Sequence, residues 1–228
     1  KKDTQVFRFS CELYKTVNKG LLQKATEDTL EEFDIFKSIL RRGLFWYYLE
    51  ESDIKPIVRE EYKIPCSLIY QRNNHKLLFE VTYYRNRINL EVFHVLTDGT
   101  GAMNFLKTLV SNYLTLAENV EDSGVDYDAS STQKSDDSFS KYYSGKISSK
   151  QENNPVAYKI VGRKYPDDKL KVINGMVDVK KVLEESHKYN ATLTAFLSAV
   201  LVKSIIDEMP VRSKGKKPIT ILIPVNLR

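Results

Sequence analysis

The sequence predicts an α/β protein in which helices cover a mixed sheet. Short stretches with period-two alternation are typical of strands, and stretches with apolar residues three and four apart are typical of amphipathic helices. The two kinds alternate along the chain, which favours α/β layers. A chain of 228 residues with 42% hydrophobic and 29% charged residues is of ordinary globular composition and long enough to bury a core.

The first half predicts strands separated by two helices. Residues 4–14 alternate as a strand, and Asn18 is placed to cap a helix that runs to about Arg42, with Gly43 in the C-cap position. Two short strands, a β-hairpin and a second helix are then predicted, at "LFWYYLE" (44–50), "KPIVREEY" (55–62), "KLLFEVTYY" (76–84) with "RINLEVFHV" (87–95), and Gly101 to about Ala117. We expect the aromatic residues Trp46, Tyr47 and Tyr48 to lie in the core and on the sheet surface.

A change of composition divides the chain. Residues 118–154 are rich in Ser, Asp, Lys and Asn, which predicts a polar crossover between a domain at 1–117 and the segment 155–228. The later segment predicts strands at 156–165 and 170–177, a helix at 178–190 capped by Asp178 and Asn190, an apolar and deeply packed helix at 192–207, and a buried strand at 217–228.

Charge and cysteine content exclude several classes of function. The net charge of +5 is spread along the chain without a basic stripe, so nucleic-acid binding is not expected. Cys11 and Cys66 lie far apart without metal-ligand spacing, which argues against a disulfide scaffold and a zinc site and fits a reducing compartment. The longest apolar runs are too short to span a bilayer, and no signal peptide opens the chain, so a cytoplasmic location is expected.

The segment "FHVLTDG" (93–99) carries the strongest chemical signal. His94 ends an apolar strand, and Asp98 and Gly99 follow at the turn into a helix. A neutral imidazole can take a proton from an attacking hydroxyl or amine, and a strand terminus would hold it in place. Asp98 could then hold the turn, and Gly99 could permit a tight turn and a close helix approach. The alternative is that His94 is a core histidine and Asp98 merely caps the helix.

Other candidate sites are weaker. His75, in a polar turn, and His187, on a polar helix face, have no ligand partners at metal spacing. The sequence contains no P-loop, no G-x-G-x-x-G fingerprint and no G-x-S-x-G nucleophile motif. A covalent serine mechanism is therefore not supported.

"FHVLTDG" resembles the H-H-x-x-x-D-G signature of the chloramphenicol acetyltransferase-like superfamily. This superfamily includes alcohol O-acetyltransferases and nonribosomal peptide condensation domains. The opening strand and helix, "DDSFSKYY", "TLTAFLSAVLVKSI" and "PVNLR" are also similar to alcohol acetyltransferases. The resemblance implies a two-layer sandwich with a mixed sheet, present here as a first lobe and the start of a second. No D-F-G-W-G-like segment occurs, so we expect an amino-terminal portion of a two-lobed enzyme with the rest of the second lobe missing.

The resemblance also assigns roles to residues. His94 matches the catalytic base, and Phe93 replaces the first histidine of the motif, which disfavours a peptide-condensing domain. Asp98 would be structural and would pair with Arg228 of "PVNLR". The implied function is acetyl transfer from acetyl-CoA, or another acyl-CoA, to a small alcohol, with no permanently bound cofactor. The alternatives are an inactive binding or scaffolding module and a carrier-protein-dependent condensation domain.

Overall fold

The computed structural model describes residues 4–71, 75–118, 155–162, 173 and 175–223. The chain divides into two compact units, residues 1–138 and 139–228. The predicted crossover at 118–154 lies, apart from its first residue, outside the described residues, so its boundaries stay a prediction.

The first unit contains six strands and two helices among its described residues. A 3-10 turn at Asp34–Lys37 joins the first helix to the second strand. In chain order the elements are β1 (Val6–Glu12), α1 (Lys19–Glu32), β2 (Ser38–Arg42), β3 (Tyr47–Glu51), β4 (Arg59–Glu60), β5 (Phe79–Tyr84), β6 (Arg87–Phe93) and α2 (Gly99–Glu118).

Four of these strands form the mixed sheet that the sequence predicts. Their order is β1-β6-β5-β4, with antiparallel pairing between β1 and β6 and between β6 and β5, and parallel pairing between β5 and β4. β6 is therefore a central strand, and β1 lies at one edge. β2 and β3 form a separate antiparallel hairpin.

One face of the mixed sheet carries the hydrophobic core. Leu90 and Val92 of β6 are fully buried on this face, and Phe79 of β5 lies opposite Val92. Phe105 of α2 packs against Phe79 with ring centroids 5.2 Å apart and stacks on Phe36 at 4.1 Å. α2 therefore covers this face, which gives the predicted two-layer arrangement of helix on sheet.

The opposite face carries a buried network of charges. Arg8 lies opposite Glu91 in the register of β1 and β6, and its Nη2 is 2.7 Å from Glu91 Oε1. Arg8 Nη1 also donates to Glu61 at 2.6 Å, and Arg87 Nη2 donates to Glu61 at 2.8 Å. Burial alone would raise the pKa of Glu61, but the two arginines outweigh it and hold that pKa below its ordinary value.

The segment 61–70, here called the strap, covers this polar face. Its Lys63 forms an ion pair with Glu80 of β5, and its Tyr70 stacks on Phe93 of β6 with ring centroids 5.7 Å apart. The backbone N–H of Cys66 donates to Glu91 at 2.7 Å. Sheet and strap are thus joined by charged and aromatic contacts and by Ile69 of the strap, which is buried in the hydrophobic core.

The first predicted helix is wrong beyond its fourth turn. Asn18 caps α1 as expected, its side chain accepting from the backbone N–H groups of Gly20 and Leu21. α1 ends at Glu32, and the residues up to Arg42 form the 3-10 turn and β2. Ile39 and Leu40 fit a helical spacing in sequence, but pairing with β3 draws them into a strand. Tertiary pairing here overrides the local pattern.

The second unit contains two α-helices among its described residues, α3 (Val179–Lys188) and α4 (Leu193–Glu208). Asp178 caps α3 as predicted, accepting from the N–H groups of Lys180 and Lys181. Asn190 follows α3 with a φ of 50°, the left-handed conformation typical of a helix end.

Other expectations for the second unit are wrong. α4 forms as predicted, but none of its residues is buried, and Leu197 is 49% exposed. The described residues of the three predicted strands, 156–162, 173 with 175–177 and 217–223, form no strand, and Leu222 is 92% exposed. Among the described residues of this unit, the apolar side chains of α4 are therefore only partly covered.

Among the described residues, no single helix is both long enough and apolar enough to span a membrane. α3 and α4 meet that test only as a pair, across an 83° bend.

Candidate active site

His94 lies directly after the central strand β6, at the carboxyl end of that strand. Its backbone N–H donates to the carbonyl of Gln5 at 2.7 Å, which extends the pairing of β6 with β1 by one residue. Gln5 has a φ of 52°, so this contact is made to a residue in the left-handed conformation. The position of the His94 backbone is therefore fixed by the sheet.

The His94 side chain projects on the helix-covered side of the sheet and is exposed. Its ring lies against Phe7 of β1, with centroids 4.9 Å apart and planes tilted by 59°. Among the described residues, no side chain hydrogen-bonds the imidazole. The structure thus excludes the alternative of a buried core histidine and presents an accessible imidazole supported on one side by Phe7.

Phe93 points to the other side of the sheet. It is buried and stacks on Tyr70 of the strap. Successive residues of a strand face opposite sides, so Phe93 and His94 cannot share one site. The replacement of the first motif histidine by phenylalanine therefore serves packing beneath the strap and leaves the surroundings of His94 unchanged.

Asp98 caps helix α2. Its Oδ1 accepts from the N–H of Gly101 at 2.8 Å, and its carbonyl accepts from the N–H of Ala102 at 3.1 Å. This is the capping role considered as an alternative in the sequence analysis, and it fixes the end of the loop that begins at His94. Arg228 lies outside the described residues, so its pairing with Asp98 stays a prediction.

Two substitutions separate the cap from the charge at Asp98. Asp98→Ala removes both and is expected to lower the free energy of unfolding by about 1 kcal/mol through the cap alone. Asp98→Asn retains an equally good cap and removes only the charge, so a loss in this variant measures the charge's interactions with the N-terminus of α2 and with Arg228 together. We expect a lower melting temperature in both variants. An asparagine variant that melts like the unmodified chain would contradict the Asp98–Arg228 pair and leave the cap intact.

The glycine that the loop requires is Gly101 rather than Gly99. A Cβ on Gly99 would lie 3.9 Å from Phe9 Cζ, an ordinary contact, and the φ of Gly99 is outside the left-handed region. A Cβ on Gly101 would lie 2.0 Å from Thr97 Oγ1 and 3.3 Å from Thr97 Cβ. The close approach predicted for Gly99 therefore occurs two residues later, where Thr97 packs on the first turn of α2.

Gly101→Ala is expected to destabilise the first unit by about 1 kcal/mol, because the stiff Thr97 side chain must leave its rotamer. Gly99→Ala is the matched control, and it should be neutral or slightly stabilising because alanine is the better helix former. Denaturant melts of the two variants give the comparison. Thr97→Ala in the Gly101→Ala background should recover most of the loss. Equal melts for the Gly99 and Gly101 variants would contradict this packing.

An apolar groove lies between edge strand β1 and helix α2. It has a volume of about 450 Å³. Phe9 lines the groove, and its ring centroid is 5.7 Å from that of Phe7. The ring of Phe7 in turn contacts the ring of His94. The further lining residues of the groove are Ser10, Cys11, Met103, Leu106, Lys107, Val110, Ser111 and Leu114. The groove is therefore linked to the histidine through two aromatic rings.

Thiolate chemistry, metal binding and the two other histidines find less support in the described residues. Burial raises the pKa of both thiols, with help from Glu12 at Cys11 and from Glu91 at Cys66, so neither is a thiolate at neutral pH. No group of three or more metal-binding side chains occurs within the described part of the chain. His75 contacts Arg41, and His187 lies exposed in the last turn of α3.

The sequence alone did not identify three residues near His94: Arg8 and Glu91 on the opposite face of the sheet, and Thr97 in the loop before α2. Arg8 and Glu91 occupy polar positions of the alternating strands β1 and β6, next to Phe7 and Val92. Such positions usually face solvent, so the local pattern does not indicate that the two residues form an ion pair beneath the strap. The supporting role of Thr97 leaves no local signal either, because it depends on the geometry of the loop.

Comparison with known proteins gives structural similarity without a sequence match. No protein-family model and no curated protein matches the chain. Among solved structures, the chain is similar to the starter condensation domain of rhizomide synthetase RzmA, with 11% identity, a TM-score of 0.44 and coverage of 55% of this chain and 35% of that chain.

Two further similarities are of the same extent. VibH, a nonribosomal peptide synthetase condensation enzyme, has 16% identity and a TM-score of 0.39, over 54% of this chain and 33% of that one. Polyketide synthase associated protein 5 from Mycobacterium tuberculosis has 19% identity and a TM-score of 0.40, over 54% and 32%. The chain spans about a third of the length of these structures.

Proposed function

We propose that this chain carries the catalytic base of an acyltransferase and that His94 is that base. The observation that carries the proposal is the exposed imidazole at the end of the central strand, with its backbone bound to Gln5 and its ring supported by Phe7. The strand end fixes the backbone of His94 and Phe7 supports its ring on one side, which limits where the imidazole can lie while leaving it open to a substrate, as general base catalysis requires.

The surrounding residues fit the H-x-x-x-D-G pattern. Asp98 fixes the loop by capping α2, and Gly101 and Thr97 close its packing against the helix. Phe93 departs from the pattern on the far side of the sheet, away from the imidazole. The departure at Phe93 therefore does not alter the surroundings of the residue that we propose as the base.

The proposed reaction is direct transfer. The His94 imidazole removes the proton from an alcohol hydroxyl as its oxygen attacks the carbonyl carbon of an acyl thioester. The tetrahedral intermediate collapses, the carbon–sulfur bond breaks, and the thiolate takes the proton from the imidazolium. An ester and a free thiol result, and the imidazole returns to its neutral form.

Acetyl-CoA or another acyl-CoA is the donor that the resemblance implies, and the groove favours a small, apolar alcohol as acceptor. Phe9, Met103 and Leu106 line this groove and offer apolar contacts, with Lys107 as its one charged lining residue. Burying an acceptor's carbon chain there would contribute binding energy in proportion to the apolar area removed from water.

The second candidate is a non-catalytic binding module with the same fold. The exposed histidine favours the enzyme, because a module that only binds has no need of an accessible imidazole at this strand end. A carrier-protein-dependent condensation domain is a third reading. The replacement of the first motif histidine by Phe93 weighs against it.

In the deciding experiment, the protein is incubated with acetyl-CoA that carries a label in its acetyl group and with primary alcohols of increasing chain length. Labelled ester and free CoA thiol should form in equal amounts, and only when an alcohol is present. Binding of both substrates by calorimetry without any ester would instead identify a binding module. If ester formed only from an acyl thioester on a carrier protein, the chain would belong to a carrier-protein-dependent condensation domain.

A further inference from the structure

The β2–β3 hairpin carries a second surface, whose residues neither line the groove nor contact the ring of His94. Ile39 is buried, and Leu40 and Leu49 pack against the core, so the root of the hairpin is fixed. At the other end, the N–H of Gly43 donates to the carbonyl of Trp46 at 2.7 Å. This bond closes a tight turn, and the hairpin projects as an ordered element.

The outer end of the hairpin is apolar and exposed. Residues 44–48, here called the aromatic tip, are Leu44, Phe45, Trp46, Tyr47 and Tyr48, with exposed fractions of 82%, 84%, 64%, 55% and 44%. Five consecutive large apolar or aromatic side chains in water are unfavourable, and such patches mark interaction surfaces. The expectation that the aromatic residues at 46–48 lie in the core is therefore wrong, whereas Tyr47 and Tyr48 do lie on the surface of a sheet, on strand β3.

Charge is distributed unevenly along the hairpin. Arg41 and Arg42 lie at the outer end, opposite Tyr48 and Tyr47. The acidic Glu50 and Glu51 lie at the root, opposite Ile39 and Ser38. Arg41 is paired with Glu50, whereas Arg42 is exposed and has no partner within the described residues. The outer end thus combines apolar side chains with positive charge.

We propose that the aromatic tip binds the surface of an anionic lipid bilayer. Tryptophan and tyrosine favour the membrane–water interface, and arginine favours anionic headgroups. Leu44 and Phe45, at the apex of the turn, would enter the acyl-chain region, while Arg42 would remain at headgroup level. Such contact is peripheral and needs no membrane-spanning helix.

The charge pattern disfavours two other partners. The tip of a second copy would carry the same unpaired Arg42 and would offer it no anionic partner, whereas anionic headgroups do. A single-stranded nucleic acid needs a basic groove beside its stacking rings, and the tip has one unpaired arginine and no such groove among its described residues.

Trp46 makes the test direct, because it is the only tryptophan of the chain. Its fluorescence is measured while the 228-residue chain is mixed with vesicles of phosphatidylcholine alone or with added phosphatidylserine. Anionic vesicles should shift the emission to the blue, brominated lipids should quench it, and the protein should sediment with the vesicles. Neutral vesicles should bind more weakly.

Three variants keep Trp46 as the probe. Phe45→Ser is expected to weaken vesicle binding about ten-fold by removing one inserted ring. Arg42→Glu should weaken binding to anionic vesicles about ten-fold at low salt and have little effect on neutral ones. Leu68→Ser, at a side chain that is 54% exposed and lies in the strap, is the matched control and should bind normally.

Several results would overturn the proposal. They are an unchanged emission spectrum with anionic vesicles, equal affinity for neutral vesicles, and equal weakening by Leu68→Ser. A blue shift that follows protein concentration without lipid would assign the tip to a second copy, and a response to a single-stranded oligonucleotide alone would assign it to nucleic acid. Circular dichroism of each variant confirms that the chain remains folded.

Discussion

His94→Ala is expected to lower the rate of acyl transfer by about 10²- to 10⁴-fold, the usual contribution of a positioned general base. The alcohol would then have to lose its proton to water while it attacks the thioester. The melting temperature should hardly change, because the His94 side chain is exposed and its one ring contact is with Phe7. Rate and thermal melt are measured on the same preparation.

His187→Ala is the matched control for this experiment. His187 is equally exposed but lies in the last turn of α3, in the second unit. Its replacement should leave the rate unchanged. A His94→Ala variant with the full rate would show that another group removes the proton. A large loss of stability in that variant would show that the histidine is a structural residue.

Arg8→Ala is expected to lower the free energy of unfolding of the first unit by about 3–5 kcal/mol. Glu91 is 1% exposed, and without Arg8 its carboxylate would retain the backbone N–H of Cys66 as a donor but lose its cation. Burial works against the charge on Arg8, yet Glu61 and Glu91 outweigh this effect and raise the pKa of its guanidinium. The guanidinium of Arg8 is therefore held in its charged form.

Two further variants show whether the loss arises from the uncompensated charge. Arg8→Met with Glu91→Gln removes both charges and keeps an acceptor for the Cys66 N–H, so it should recover a large part of the stability. Lys15→Ala breaks an exposed ion pair with Glu118 and should change stability by about 1 kcal/mol or less. Denaturant melts measure all three. If Arg8→Ala also lowered the free energy of unfolding by only about 1 kcal/mol, the claim that Arg8 compensates the buried charge of Glu91 would be contradicted.

Much of the fold follows from local patterns. The β5–β6 hairpin, α2 and α3 lie where alternation and helical spacing place them, and α4 lies where a long apolar stretch predicts a helix. Asn18 and Asp178 were identifiable as caps, since a side-chain oxygen before a helix satisfies free N–H groups in any context.

Features that depend on distant contacts did not follow from the sequence. Residues 38–42 fit both a helix and a strand, and pairing with β3 decided between them. The apolar composition of α4 suggested deep burial, but composition does not specify what covers a helix. The exposure of Trp46 is a similar case, because an aromatic run has the same pattern on a core strand and on a projecting hairpin.

The candidate site was predicted in part. The location of His94 at a strand terminus followed from the apolar run before it and the turn after it. The close approach was assigned to Gly99 instead of Gly101, because the position of the Thr97 side chain is set by the folded loop. The ion pair between Arg8 and Glu91 depends on the register of β1 and β6, which local patterns do not determine.

Rescue by free imidazole tests most directly the claim that the His94 ring removes the alcohol proton. The ring is exposed, so added imidazole can reach the space that His94→Ala leaves. The rate of ester formation by this variant should rise with imidazole concentration, and more steeply with more basic imidazoles, beyond the rate without protein. A variant that forms ester at the full rate without imidazole would contradict the assignment of His94 as the base.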